Sequence, residues 1–232
     1  EADVFRFEEA DEGVVRDMLY AKNAIDYLTG FLEQRITVCV DEQERMRLAK
    51  LEGVLTELIC FCSLSDNLDP MTREGLPKPA QQQLLSELLA MDRAMAIVEK
   101  IIPVLQDAQS KPGRGSTFST FTVLQRTATL CQRLMRLCLR QNPNTCSYAA
   151  ERPKVFVGPL RDQMGYGILA AETLREIYVD NTTLLEKITP SDIKEILDLI
   201  RSQEPGKGRK ARYIEFLMVL CECDGKAVRV NQ

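Results

Sequence analysis

The sequence predicts an all-α protein, built as an armadillo- or HEAT-like stack of antiparallel helix pairs. Apolar residues recur every three or four positions along nearly the whole chain, which is the spacing of amphipathic helices. The one β-like run, Val155-Phe156-Val157, is too short to found a sheet. Successive helical segments of similar length favour an up-down stack in which each pair buries its face on its neighbours. A closed helical bundle would show the same periodicity and remains an alternative.

Three helices are predicted in the first half, each from an apolar stripe that lies on one helix face. The stripes are Val14, Met18, Ala21, Ile25, Leu28 and Leu32; Leu48, Leu51, Leu55, Leu58, Ile59 and Cys62; and Leu84, Leu88, Met91, Met95, Val98, Ile102 and Leu105. The third helix is long enough to cross the domain. Pro103 lies inside it and is expected to kink or end it.

A fourth helix, from Leu124 to Leu139, carries apolar residues on every side. A helix that is apolar all round is typical of a buried position in the middle of a stack. Four arginines interrupt it, and each is expected to reach solvent or to pair with a carboxylate. They are Arg126, Arg133, Arg136 and Arg140.

Thr189-Pro190-Ser191-Asp192 predicts a helix start, because Thr189 can cap, Pro190 suits the first helical position and Asp192 completes a capping box. The apolar stripes of this helix and of the next are each formed by four residues. They are Ile193, Ile196, Leu197 and Ile200 for the first, and Ile214, Leu217, Met218 and Cys221 for the second.

We interpret residues 1–232 as a single helical domain, with loops near 63–80, 106–120 and 202–210, where turn-forming and charged residues cluster. The acidic start has no signal-peptide pattern and suggests a cut inside a longer protein. No apolar run reaches the roughly 20 residues of a membrane-spanning helix, so we expect no membrane contact by this part.

Composition argues against several kinds of site. The chain has no histidine, the commonest general base and metal ligand, and no glycine-rich phosphate loop, so we predict neither an enzyme nor a bound cofactor. The net charge of -4 disfavours nucleic acid as a partner. Two Cys-x-Cys pairs, Cys60/Cys62 and Cys221/Cys223, invite a zinc hypothesis. We predict no metal, because residues two apart on a helix do not share a face and zinc sites use wider spacing.

Several motifs in order resemble the helical N-terminal domain shared by inositol trisphosphate receptors and ryanodine receptors, over most of the chain. They are Val15-Arg16-Asp17 with Ala21-Lys22-Asn23-Ala24, Met164-Gly165-Tyr166-Gly167 with Leu184-Leu185-Glu186-Lys187, Arg140-Gln141-Asn142 with Cys146, and Gly225-Lys226-Ala227-Val228-Arg229. The last two lean toward ryanodine receptors. The resemblance implies a divergent inositol trisphosphate receptor homologue.

In inositol trisphosphate receptors this domain forms one wall of the ligand cleft and a preceding β-trefoil domain forms the other. Cations grip the phosphates from a helix start and from a Tyr-Arg-Lys loop. An ungapped comparison places Gln83, Glu87 and Ala90 at the first place and Cys146-Ser147-Tyr148 at the second. The cations are therefore missing. A shifted alignment would make Arg152 and Lys154 the ligand residues of the loop.

The resemblance implies a regulatory domain of an intracellular calcium-release channel on the cytosolic face of the endoplasmic reticulum, with weak or lost inositol trisphosphate binding. Its implied partners are the preceding β-trefoil domain and the adjacent subunits of a tetramer. Two alternatives remain: a working inositol trisphosphate-binding module, and a soluble helical-repeat scaffold that binds peptides along a groove.

Overall fold

The computed structural model describes residues 11–36, 42–110, 115–202, 210–223 and 225–231. These residues form eleven α-helices and two short hairpins, with 3-10 turns at Met164–Tyr166 and Arg229–Asn231. The helices are α1 Glu12–Leu32, α2 Glu42–Phe61, α3 Pro79–Glu87, α4 Ala90–Ser110, α5 Gly115–Leu139, α6 Pro143–Ala150, α7 Val157–Gln163, α8 Ala170–Tyr178, α9 Thr182–Leu185, α10 Pro190–Ser202 and α11 Lys210–Cys221; the strands are β1 Ser63–Leu64, β2 Leu76–Pro77, β3 Glu222–Cys223 and β4 Lys226–Ala227.

Helix α5 lies in the middle of the stack and packs against α2, α4 and α8. Leu124, Leu130, Leu134 and Cys138 along it are fully buried, as the apolar residues on all its sides predict. Neighbouring helices run antiparallel, and each hairpin is a sheet of only two strands in the described part of the chain. The prediction of an all-α, armadillo-like stack is confirmed.

Helices α1 and α2 bury their stripes to different extents. All of the α2 stripe is buried, from Leu48 to Ile59, and Cys62 follows it into the core. In α1 the stripe is buried only from Ala21 onward, while Val14 is 61% and Met18 is 53% exposed. The N-terminal half of α1 therefore extends beyond the core that its second half helps to build.

The predicted third helix is in fact two helices, α3 and α4, separated at Leu88–Leu89. Leu89 has a φ of 60°, in the left-handed region that leucine rarely adopts. This turn lets Leu85 of α3 and Met91 of α4 both face the core, and their burial offsets its conformational cost. Pro103 does not end α4, because it lies on the exposed side of the helix, where water can bond the carbonyl that its ring leaves free.

The three predicted loops agree with the structure to different extents. Between α2 and α3 the chain forms the β1–β2 hairpin, and Arg73 within it is buried. The loop predicted at 106–120 is wrong at both ends, because α4 continues to Ser110 and α5 begins at Gly115; residues 111–114 lie outside the described residues. The turn-forming run at 111–116 predicts a longer loop than the one between the ends of α4 and α5. Residues 203–209 of the third loop also lie outside the described residues.

The start of α10 confirms the predicted capping box. The Asp192 amide donates to Thr189 Oγ1 at 3.3 Å, and the Thr189 amide donates to Asp192 Oδ2 at 2.9 Å. Burial alone would raise the pKa of Asp192. The hydrogen bonds that its carboxylate accepts from the Thr189 hydroxyl at 2.6 Å and from the Thr189 amide, together with the charge of Arg161, outweigh burial and hold the pKa below its ordinary value. The helix begins where the sequence pattern places it.

The stripe predicted for α11 is wrong. Its buried face is formed by Tyr213, Phe216 and Leu220, whereas Ile214 is 49% and Met218 is 60% exposed. The large aromatic side chains enter the core, and Tyr213 also donates a hydrogen bond to the carbonyl of Met164 at 2.7 Å. The burial of these rings turns the helix one position away from the face that its aliphatic residues suggested.

Candidate functional site

None of the three residues at the first implied ligand place is a cation, and one of them is buried. Gln83 is exposed on α3, and its Nε2 donates to Glu87 Oε1 at 2.8 Å, so these two side chains bind each other. Ala90, at the beginning of α4, is fully buried. Only Gln83 and Glu87 of these three can therefore meet a ligand, and Glu87 carries a negative charge.

The second implied place lies on α6. Cys146 is buried, its Sγ lies 3.3 Å from the carbonyl oxygens of Leu139 and Glu176, and burial raises its pKa to about 12. The Tyr148 hydroxyl donates to Asp92 at 2.9–3.0 Å. Burial and the neighbouring carboxylate raise the pKa of this hydroxyl and outweigh the opposing effect of Arg152.

Arg152 joins the same cluster, and Lys154 does not. The Arg152 guanidinium stacks 4.3 Å from the centroid of the Tyr148 ring and forms a 3.3 Å ion pair with Asp92. Lys154 is exposed and has no partner in the described part of the chain. The sequence does not identify Asp92 as part of this cluster. The break at Leu89 places Asp92 in the first turn of α4, where it contacts Tyr148 and Arg152.

A second cluster connects α5 to the β1–β2 hairpin. Glu74 of the hairpin accepts hydrogen bonds from Arg133, Arg136 and Arg140 at 3.0, 2.7 and 2.6 Å. These arginines lie three or four positions apart, so Arg133 and Arg136 share one face of α5 and Arg140 directly follows its last residue. Arg126, about two helical turns before Arg133, pairs instead with Glu52 at 3.1 Å. The prediction that the four arginines reach solvent or pair is confirmed by these ion pairs.

Arg136 also forms a buried pair with Glu176 of α8. Its Nε donates to Glu176 Oε1 at 3.0 Å, and the two side chains are 14% and 9% exposed. Burial would lower the pKa of the guanidinium, but the bonds to Glu176 and Glu74 outweigh it and raise the pKa. One arginine therefore connects the central helix to the hairpin on one side and to α8 on the other.

The Glu74 cluster predicts a pH-dependent contribution to stability. Burial alone would raise the pKa of Glu74, but Arg136, Arg133 and Arg140 outweigh it and lower the pKa below its ordinary value of 4.5. A carboxyl with a lowered pKa in the folded state stabilises the protein above its unfolded-state pKa, and this contribution is lost as the pH falls.

We therefore expect Glu74→Gln to lower the free energy of unfolding at pH 7 by about 1–2 kcal/mol, since Glu74 is partly exposed. The difference from the wild type should shrink as the pH falls below 4.5, because the Glu74 carboxyl then takes up a proton and becomes neutral, as Gln is at every pH. Urea titrations at several pH values measure it. Glu42→Gln is a matched control, because Glu42 pairs only at 3.7 Å on the exposed surface. A difference that is constant with pH would contradict the role assigned to Glu74.

Beside this cluster lies a cleft with a volume of about 780 Å³. Its walls come from the end of α5, from α6 and α8, and from α9 with the turn before it. Arg175 and Lys187 line it, and their side chains have no hydrogen-bond or ion-pair partner in the described part of the chain. Cys146 and Ser147 also line it, whereas Tyr148 is directed to Asp92.

The described residues contain neither a metal-binding cluster nor a membrane-spanning helix. Among the described residues no group of three or more Cys, Asp or Glu side chains is arranged to hold a metal ion, and the seven described cysteines form no disulfide bond with one another. Cys39 lies outside the described residues. None of the described helices is both long enough and apolar enough to cross a membrane.

Comparison with known proteins gives a consistent result. A family model of the RIH domain of ryanodine and inositol trisphosphate receptors matches residues 52–232. The chain is 24% identical over 195 residues to inositol 1,4,5-trisphosphate receptor-like protein A of Dictyostelium discoideum, and 23% identical over 227 residues to the inositol 1,4,5-trisphosphate receptor itr-1 of Caenorhabditis elegans. These matches cover 82% and 92% of the chain, but only 5% and 7% of the relatives' lengths.

Proposed function

The chain belongs to the RIH domain family of inositol trisphosphate and ryanodine receptors, and from this premise we propose that residues 1–232 form one regulatory armadillo-like domain of an intracellular calcium-release channel. It acts on the cytosolic face of the endoplasmic reticulum, next to a β-trefoil domain and to adjacent subunits of a tetramer. Inositol trisphosphate binding is weak or lost. The names of the two relatives, both receptors or receptor-like proteins, support the channel context.

The observation that supports the loss of binding is that none of the six residues at the two implied places is a cation; the exposed Lys154 would lie there only in the shifted alignment. Gln83 and Glu87 bind each other, and Ala90 and Cys146 are buried. The charge of Arg152 is offset by Asp92. Each charge-assisted contact to a phosphate is worth about 1.5–3 kcal/mol, so the loss of several approaches the roughly 8 kcal/mol of a micromolar ligand.

We expect titration calorimetry to detect no saturable binding of inositol trisphosphate at micromolar concentration and physiological salt. The protein measured comprises the preceding β-trefoil domain together with residues 1–232. Gln83→Arg/Glu87→Lys/Ser147→Arg should raise the affinity, because these substitutions return positive charge to exposed or half-buried positions. Ala90 is left unchanged, since its site has no room for a long side chain.

Tight binding of inositol trisphosphate would contradict the proposal. Tight binding by the unmodified protein, lost in Arg152→Ala/Lys154→Ala, would replace the proposal with a working inositol trisphosphate-binding module. The affinity of Arg16→Ala/Lys194→Ala is the control, because both side chains are exposed and distant in sequence from the implied places.

A further inference from the structure

We propose that a groove formed by α6, α8, α9 and α11 binds an extended peptide segment that is acidic at one end and apolar and basic at the other. The 780 Å³ cleft adjoins a second cleft of about 490 Å³. Arg175, Val179 and Asp180 line both, so the two clefts form one continuous groove. This inference rests on unpaired charges and asparagine side chains rather than on Cys146 and Ser147, which belong to the second implied phosphate place and also line the first cleft.

The two ends of the groove carry opposite unpaired charge. In the first cleft Arg175 and Lys187 have no partner in the described part of the chain, against one unpaired carboxylate on the rim, Glu151. In the second cleft the unpaired side chains besides Arg175 are Glu215 and Glu222. Unpaired charges of one sign attract a ligand group of the opposite sign, so an occupant would place its carboxylates and its cations at opposite ends.

The apolar character also changes along the groove. Met218 and Val219 line only the second cleft, and Met218 is among the most exposed large apolar side chains of the described residues. A flexible methionine on a binding surface adapts to apolar partners of different shapes. The acidic end of the groove is thus suited to an apolar residue flanked by Lys or Arg.

Two asparagines supply donors for a peptide main chain. Asn142 Oδ1 accepts from the Thr145 amide at 3.2 Å, and Asn181 Oδ1 accepts from the Leu184 amide at 3.3 Å, so each oxygen is held by a helix start. Both residues line the first cleft, and no described residue accepts from either side-chain NH₂ group. These NH₂ groups are available to peptide carbonyl oxygens, which a small anion does not offer in series.

The test is selection of a random displayed peptide library on the full 232-residue chain, followed by fluorescence anisotropy of the enriched peptides. Enriched peptides are expected to carry Asp or Glu at one end and an apolar residue beside Lys or Arg at the other. Arg175→Glu/Lys187→Glu should weaken their binding by about tenfold or more and should select peptides with a basic residue in place of the acidic one. Glu215→Lys/Glu222→Lys should reverse the preference at the other end.

The matched control is Arg16→Glu/Lys194→Glu, which makes the same change of charge at exposed side chains outside both clefts and without partners in the described part of the chain. It should leave peptide affinity within about twofold of the wild type. Circular dichroism and thermal melting confirm that each variant is folded. No enrichment, enrichment without charge preference, or a preference that the reversals do not move would each overturn the proposal. Enrichment of carboxylates alone would reduce the groove to an anion site and would overturn it as well.

Discussion

Glu176→Ala is expected to lower the free energy of unfolding by about 3 kcal/mol, because it removes one partner of a buried ion pair. Arg136 and Glu176 are 14% and 9% exposed and lie 3.0 Å apart. Without Glu176, the Arg136 guanidinium keeps its bond to Glu74 but loses the acceptor at Nε, and only 14% of the Arg136 side chain is exposed to water. A buried donor without an acceptor costs its full desolvation energy.

Chemical denaturation of the wild type and the variant measures this difference. Glu176→Gln is the matched control, because it keeps the size and an acceptor oxygen while it removes the charge, and its loss should be about half as large. A double-mutant cycle with Arg136→Met should give a coupling energy above about 1 kcal/mol. Additive effects of the two substitutions would show that the pair contributes nothing beyond its separate contacts.

The clearest successes of sequence reasoning depend on local patterns. The α2 stripe from Leu48 to Ile59 is buried as its spacing predicts, and the capping box at Thr189 and Asp192 forms the expected hydrogen bonds. Both features involve residues three or four positions apart, whose relative placement is set by helix geometry alone. Such patterns can be interpreted without knowledge of the rest of the fold.

The failures occur where packing between distant elements decides the outcome. The rings of Tyr213 and Phe216, rather than the aliphatic stripe of Ile214 and Met218, enter the core. No glycine or proline in the sequence marks the break between α3 and α4 at Leu89. The break forms because the buried faces of both helices pack against the same core. Single-helix periodicity contains neither kind of information.

For the candidate sites, too, the sequence predicts local features but not the contacts between distant elements. The sequence predicts that the arginines of α5 reach solvent or pair with a carboxylate, but it does not identify the partners, which are Glu74 in a predicted loop and Glu176 on another helix. Likewise, Arg152 was named from the sequence, whereas the Asp92 that offsets its charge was not. Residue types predict which kinds of contact must exist, and only the fold shows which residues make them.

The largest expected loss of stability follows from the central position of α5. Leu134→Ala should lower the free energy of unfolding by about 3–4 kcal/mol, because Leu134 is fully buried and truncation leaves a cavity between α5 and its packed neighbours. For a domain of this size the corresponding fall in Tm is roughly 6–16 °C. Helices pack on several sides of α5, so the site can collapse only in part.

Met18→Ala is the informative comparison, because the α1 stripe predicts a core position for Met18 and the structure leaves it 53% exposed. Its effect should stay within about 0.5 kcal/mol, as for other surface substitutions. Thermal and urea denaturation of both variants, each in the 232-residue chain, measure the two changes in the free energy of unfolding. A loss above about 2 kcal/mol for Met18→Ala would mean that the first half of α1 is packed after all, and a small loss for Leu134→Ala would remove α5 from the centre of the core.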